Sequence, residues 1–271
     1  MGVCKFERMS VAITEIKEKT EEYFVQEGSI VRQIWGKSDT ILVIFAGAAA
    51  EFALSKAVDW LYFTRRLPSD PLGRLFTTVT YAKKIVFSKQ EEAIAAIDTI
   101  NSIHRGVEVQ RDASIPDWAF RDVLFMLIDY SIRSFELLER SLTLAEKREV
   151  FQVFISLGKR MKIKDLPQSF EEWEKMRTTH LKQNLEYSHY TQDLFLQYRK
   201  HLGTVHHKML LELQTIIVPE KVHELMKYRK HSLLKPLISL YKVSRKIQLD
   251  WILKNLIFPT KYIDQIKALD D

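Results

Sequence analysis

Helix breakers are scarce in this chain, with 8 Gly and 7 Pro among 271 residues. These two residues cost the most in a helix interior, so long stretches can run as uninterrupted helix. No two glycines stand two residues apart, which excludes the Gly-rich phosphate loops of dinucleotide-binding and P-loop folds. A hydrophobic content of 46% supplies a sizeable core. The length suits one large helical domain or two small ones.

Local signals divide the chain into helices. After an amphipathic start (Val11–Phe24), Ser38-Asp39-Thr40 offers caps to a buried helix expected to run into the sixties. Leu67-Pro68-Ser69-Asp70-Pro71 then breaks and restarts the chain, with Asp70 suited to the N-cap and Pro71 to the first helical position. A further helix opens near Ser88 with Glu91 and Glu92 in its first turn, where negative charge is favoured. It carries Ala93, Ile97, Ile100, His104 and Val107 on one stripe at helical spacing. Pro116 starts a long helix, and Thr143 with Glu146 forms a capping box before a helix ending near Gly158. Ser169 with Glu172 repeats the device, and Gly203, Pro219, Pro236 and Pro259 bound later helices. Ile41–Phe45, Val107–Gln110 and Thr215–Val218 are short candidate strands with no hairpin turn between them.

The most apolar stretch, Ile41–Ala50, is too short to span a bilayer and reads as core. The N-terminus lacks the apolar region of a signal peptide, and Cys4 is the single cysteine, so a soluble cytoplasmic protein without internal disulfides is expected. The net charge of +6 resides wholly in residues 180–271, which hold 15 Lys or Arg against 9 Asp or Glu. That asymmetry is compatible with peripheral contact with an anionic surface, or with solvated helix faces. Nucleic acid is not expected as a partner, because no zinc-finger, RNP or Arg-rich motif accompanies the charge.

Seven of the eight histidines lie at or beyond residue 180, leaving His104 alone on the apolar stripe of its helix. A histidine so placed is either a core group with hydrogen-bond partners or a metal ligand. On the preceding helix Arg74 and Thr78 share a face, with Tyr81 next to them. A guanidinium there could hold an anionic cofactor or pair with a carboxylate such as Asp70. Two Glu-x-x-His pairs, Glu186 with His189 and Glu220 with His223, raise a non-haem di-iron alternative. A cofactor-free binding protein is a third reading.

The stretch DPLGRLFTTVTYAKKIVFSKQEEAIAAIDTINSIHRGV resembles the signature of the MpaB and rubber-oxygenase (latex-clearing protein) family. Pro71, Arg74, Leu75, Thr78, Ile103, His104 and Val107 occupy its motif positions, and the likeness extends over about residues 30–180. The resemblance implies a b-type haem with His104 as the iron ligand and Arg74, Thr77 and Thr78 beside the cofactor. Thr77 stands where some members carry a displaceable axial Lys, which implies an open or water-filled distal side. Thr78 and Asp59, the acid nearest the family's general base, are the implied catalytic candidates. The implied activity is O2-dependent oxidation or C=C cleavage of an apolar, isoprenoid-like substrate.

The expected architecture is all-α, one compact multi-helix domain with a globin-like core and additional helices. Residues 1–29 form an N-terminal extension, 30–180 a haem-binding core, and 181–271 basic helices packed on it.

Overall fold

In the computed structural model, which describes residues 22–64 and 69–246, the chain folds as one compact all-α domain. Eleven helices lie among the described residues: α1 (Ile30–Trp35), α2 (Ser38–Leu54), α3 (Asp59–Phe63), α4 (Pro71–Phe87), α5 (Gln90–Arg111), α6 (Asp117–Leu138), α7 (Leu144–Arg160), α8 (Phe170–Gln183), α9 (His189–Ile217), α10 (Glu220–Leu225) and α11 (Lys235–Lys246). The amphipathic start up to residue 21, the Leu67-Pro68 break and the stop at Pro259 lie outside the described residues.

Helix α2 is the axis of the domain. It is apolar on nearly every face and buried along most of its length, as an all-round hydrophobic helix must be. It packs against α6 on one side and α9 on another. Contact with α6 is close because position 47 is glycine: a Cβ there would sit 2.2 Å from the Tyr130 ring. The helix does not run into the sixties as its composition suggests. It stops at Leu54 because Thr191 Oγ1 and the Glu186 N–H take the carbonyls of Ala53 and Leu54, at 2.7 and 2.8 Å. Ser55 is then extended and bridges Leu185, and the short α3 begins separately.

Several boundaries follow the local chemistry. Asp70 accepts from the Gly73 N–H with Pro71 in the first position of α4, and Thr143 and Glu146 complete the capping box of α7. Ser169 caps α8, but Glu172 reaches back to the Gln168 N–H rather than to Ser169. The capping residue of α2 is Lys37, and Ser38 is its first helical residue.

The three candidate strands are corrected: Ile41–Phe45 and Val107–Gln110 are helical, as is Thr215–Ile217, with Val218 as the α9 C-cap. Each short β-branched run has helix-forming neighbours and no strand to pair with, so longer-range helical packing decides. Gly203 bends α9 instead of ending it. Its φ of 73° and ψ of 172° belong to a region open essentially to glycine alone.

Candidate active site

Helices α4 and α5 follow one another through Ser88-Lys89 and pack together. The first half of α5 seals against the protein: Ala93, Ala96 and Ile97 are buried on Ile85 with Tyr81, Leu157 and Met161 around them. The same stripe continues through Ile100, His104 and Val107, but these residues face a cavity instead of packed side chains. That cavity has a volume of about 1180 Å³ and is walled by residues of α1 to α7, α9 and α11. Its volume exceeds the roughly 300–1,000 Å³ of ordinary small-molecule sites. Most of the wall is Leu, Ile, Val, Ala and Phe.

His104 lines this cavity together with Arg74, Thr77, Thr78 and Tyr81 of α4. Its ring stands edge-on to Phe120, with centroids 5.1 Å apart, and its Nδ1 is buried without a hydrogen-bond partner. Burial, reinforced by the Arg74 charge and only partly offset by Glu108, holds its pKa below the usual histidine value. The imidazole is therefore neutral near pH 7 and keeps a lone pair for a metal. Thr77 and Thr78 are tied back to α4 itself, donating to the carbonyls of Gly73 and Arg74 at 2.9 and 3.0 Å. Each hydroxyl oxygen retains acceptor capacity toward the cavity.

Asp59 lies elsewhere. It is not a wall residue of the cavity, and its carboxylate accepts from Arg111 at 2.6 Å, while Arg111 stacks over Trp60 at 4.0 Å. In this arrangement Asp59 tethers the end of α5 to α3. Asp70 accepts from the Gly73 N–H at 2.9 Å and caps α4.

A second polar assembly has no counterpart in the sequence reading. Glu51 of α2, Asp122 and Asp129 of α6, and Arg177 and His180 of α8 are all buried. Arg177 reaches Glu51 through two hydrogen bonds of 2.5 and 2.7 Å and Asp129 through two of 3.0 and 2.9 Å. His180 lies between two carboxylates, with Nε2 at 3.0 Å from Glu51 and Nδ1 at 2.7 Å from Asp122. Tyr130 donates to Glu51 at 3.1 Å. Burial opposes the charge on Glu51, but Arg177 and His180 outweigh it and bring its pKa down to about 2. Burial also opposes protonation of His180, and Asp122 and Glu51 outweigh it and raise its pKa.

His180 thus corrects the expectation that His104 is the one histidine facing the core: His180 is 5% exposed, whereas His104 is half-buried on a cavity wall. The available signals were an acid inside an apolar helix (Glu51) and acids two turns apart on another (Asp122, Asp129). The cluster borders the cavity, since Phe52, Val123 and Met126 touch both the cavity and the small cleft beside Glu51 and His180.

The two Glu-x-x-His pairs do not converge. His189 stacks on Tyr190, with centroids 3.9 Å apart, and the His223 ring contacts the Arg229 carbonyl at 2.9 Å. Among the described residues no group of three or more His, Cys, Asp or Glu is placed to hold a metal ion. No described helix is long and apolar enough to cross a membrane.

No curated protein and no solved structure matches the chain. The family described as "ER-bound oxygenase mpaB/B'/Rubber oxygenase, catalytic domain" matches residues 33–241. That span takes in the α4–α5 pair, the cavity and the buried charge cluster. The chain belongs to the MpaB and rubber-oxygenase family, as an oxygenase catalytic domain.

Proposed function

We propose that this chain is a haem b-dependent oxygenase that oxidises or cleaves an apolar, isoprenoid-like substrate with O2. The observation that carries the reading is His104, a neutral imidazole on the wall of a large apolar cavity with Arg74 close enough to depress its pKa.

The residues present fit a haem. His104 offers an unprotonated nitrogen to iron, and its other ring nitrogen, donating an N–H, is then available to a backbone carbonyl or water. Arg74 supplies the fixed cation that a propionate requires, in a bidentate geometry an ammonium cannot reproduce. Thr77 and Thr78 line the same wall and would present their hydroxyls beside the cofactor. The haem, when bound, supplies the one-electron and O2 chemistry that no side chain here can provide. The protein's part is to hold the cofactor, to exclude water with its Leu, Ile and Phe wall, and to seat an apolar chain in the remaining volume. Thr78 presents a hydroxyl for orienting O2 or the substrate, while Asp59, paired to Arg111, holds α3 and α5 around the cavity.

The test is the visible spectrum of the purified chain supplemented with haem. A Soret band is expected, lost or shifted to that of free haem in His104→Ala. No Soret band in the supplemented wild type overturns the haem reading, and an identical spectrum in His104→Ala overturns the assignment of the ligand. Oxygenase activity is then read as O2-dependent oxidation of a polyisoprenoid probe.

A further inference from the structure

From Leu225 to Lys246 the chain holds seven Lys or Arg and no Asp or Glu. The structure gives this segment a specific place. It crosses the rim of the cavity as the turn before α11 and as α11 itself, and two stripes at helical spacing explain how it sits. Leu234, Ile238 and Tyr241 face inward and line the cavity. Leu233, Leu237 and Leu240 form the adjoining stripe and are 70%, 53% and 58% exposed. Leu237 and Leu240 also border the cavity, so this stripe marks its mouth. A third stripe, Lys235, Ser239 and Lys242, runs along the other flank, and Lys227 and Lys230 stand exposed just before it.

This exposure does not come from a loose end. Tyr241 donates to Asp39 at 2.7 Å, anchoring α11 to α2. Glu212 accepts from the Leu233 N–H at 2.7 Å and from Ser232 at 2.8 Å, and it also pairs with Arg229. The segment is tied down on both sides while its leucines are left uncovered.

We infer that α11 and the turn before it dock the cavity mouth on an anionic lipid surface. Aliphatic leucines beside lysines on a helix held parallel to the protein surface are the pattern of an interfacial helix, whose apolar stripe sinks to the acyl boundary while the cations meet headgroups. A protein partner is less well served, because protein interfaces favour aromatic residues, Met and Arg and are depleted in Lys. The outer stripe here is wholly leucine, and the exposed cations beside it are Lys227, Lys230 and Lys235, with the one exposed arginine described in this segment, Arg229, held by Glu212. Docking in this pose sets the mouth between Leu237 and Leu240 against lipid, so an apolar substrate enters without crossing water. This last point rests on the apolar-substrate reading above, whereas the docking itself does not.

The experiment is sedimentation of the full chain with vesicles of phosphatidylcholine alone or mixed with phosphatidylserine, at low and physiological salt. Binding is expected only to the mixed vesicles, and weaker at the higher salt. Each lysine near such a surface contributes about a five-fold factor, so Lys227→Ala/Lys230→Ala/Lys235→Ala should weaken binding by about 100-fold. Leu233→Asp, which is outside the cavity wall, should weaken it by about 10-fold or more. Circular dichroism checks that both variants keep wild-type helicity. Equal binding to both vesicle types, no binding to either, or variants that bind like wild type would overturn the inference. So would retention on polyglutamate beads without vesicle binding, which would assign the lysines to an acidic polypeptide. A failure here leaves the Soret test untouched, and the absence of a Soret band leaves vesicle binding untouched.

Discussion

Replacing Arg177 with Met isolates the energy held in the buried charge cluster. The substitution keeps an unbranched apolar stem and removes the guanidinium, so four hydrogen bonds are lost and Glu51 and Asp129 are left with only His180 and Arg133 as their respective cationic partners. Arg177 is 5% exposed at its side chain and Glu51 1%, so water cannot replace those bonds without opening the α2–α6–α8 packing. Removing one partner of a buried ion pair costs about 3–5 kcal/mol. The titration of Glu51 gives a second route: a fall from 4.5 to about 2 corresponds to about 3 kcal/mol, His180 included. Against a domain stability of about 5–15 kcal/mol, that is between a fifth and nearly all of it. The assay is urea denaturation at pH 7 followed by far-UV circular dichroism, with the slope checked so that the midpoint reports stability. Adding Glu51→Gln to the same chain removes one of the stranded charges and should restore part of the loss. A loss below about 1 kcal/mol for Arg177→Met would refute the reasoning, since it lies in the range of solvent-screened surface pairs.

Four further outcomes are expected. Glu51 contributes stability that is present above its ordinary value of 4.5 and is lost as pH falls toward 2, while His180, whose pKa is raised, contributes stability that is present below 6.5 and is lost as pH climbs through its raised value. The urea midpoint should therefore be highest between about pH 4.5 and 6.5, and a midpoint still rising through pH 8 would contradict the His180 geometry. Gly47→Ala drives a methyl into the Tyr130 ring and should cost about 1–3 kcal/mol, read as a lower midpoint at unchanged helicity. Thr143→Ala removes the α7 cap at a cost of about 1 kcal/mol, measured in the same way. Arg74→Ala should leave a Soret band that is lost on gel filtration, with haem affinity about 10–100-fold weaker, as for removal of a supporting group at a metal site; unchanged retention would remove Arg74 from the cofactor's contacts.

Helix starts were readable where a cap or a proline acts locally, whereas the breaker Gly203 bends its helix without ending it. Asp70-Pro71, Pro116, Thr143 with Glu146 and Ser169 all mark starts in the folded chain. The end of α2 was not readable, because its last carbonyls are taken by Glu186 and Thr191, more than 130 residues away. Helical spacing put His104 and Arg74 on apolar faces, and the motif around them placed the chain in its family. The same spacing could not say whether those faces meet packed atoms or empty volume. Ala93 and His104 lie on one stripe of α5, and only the first is sealed.

By itself, the sequence determined an all-α chain, the α4–α5 motif carrying Arg74, Thr78 and His104, and the acid-free basic segment near its end. These depend on covalent order and short-range periodicity, which are complete in one dimension. Only the tertiary structure decided that nine helices enclose one cavity, that Asp59 is held by Arg111 away from its wall, and that Glu51, Asp122 and Asp129 meet Arg177, His180 and Arg133 in one ion-paired cluster. A charge in an apolar helix is costly until its partners arrive, and here they come from helices whose spacing in sequence carries no record of the meeting.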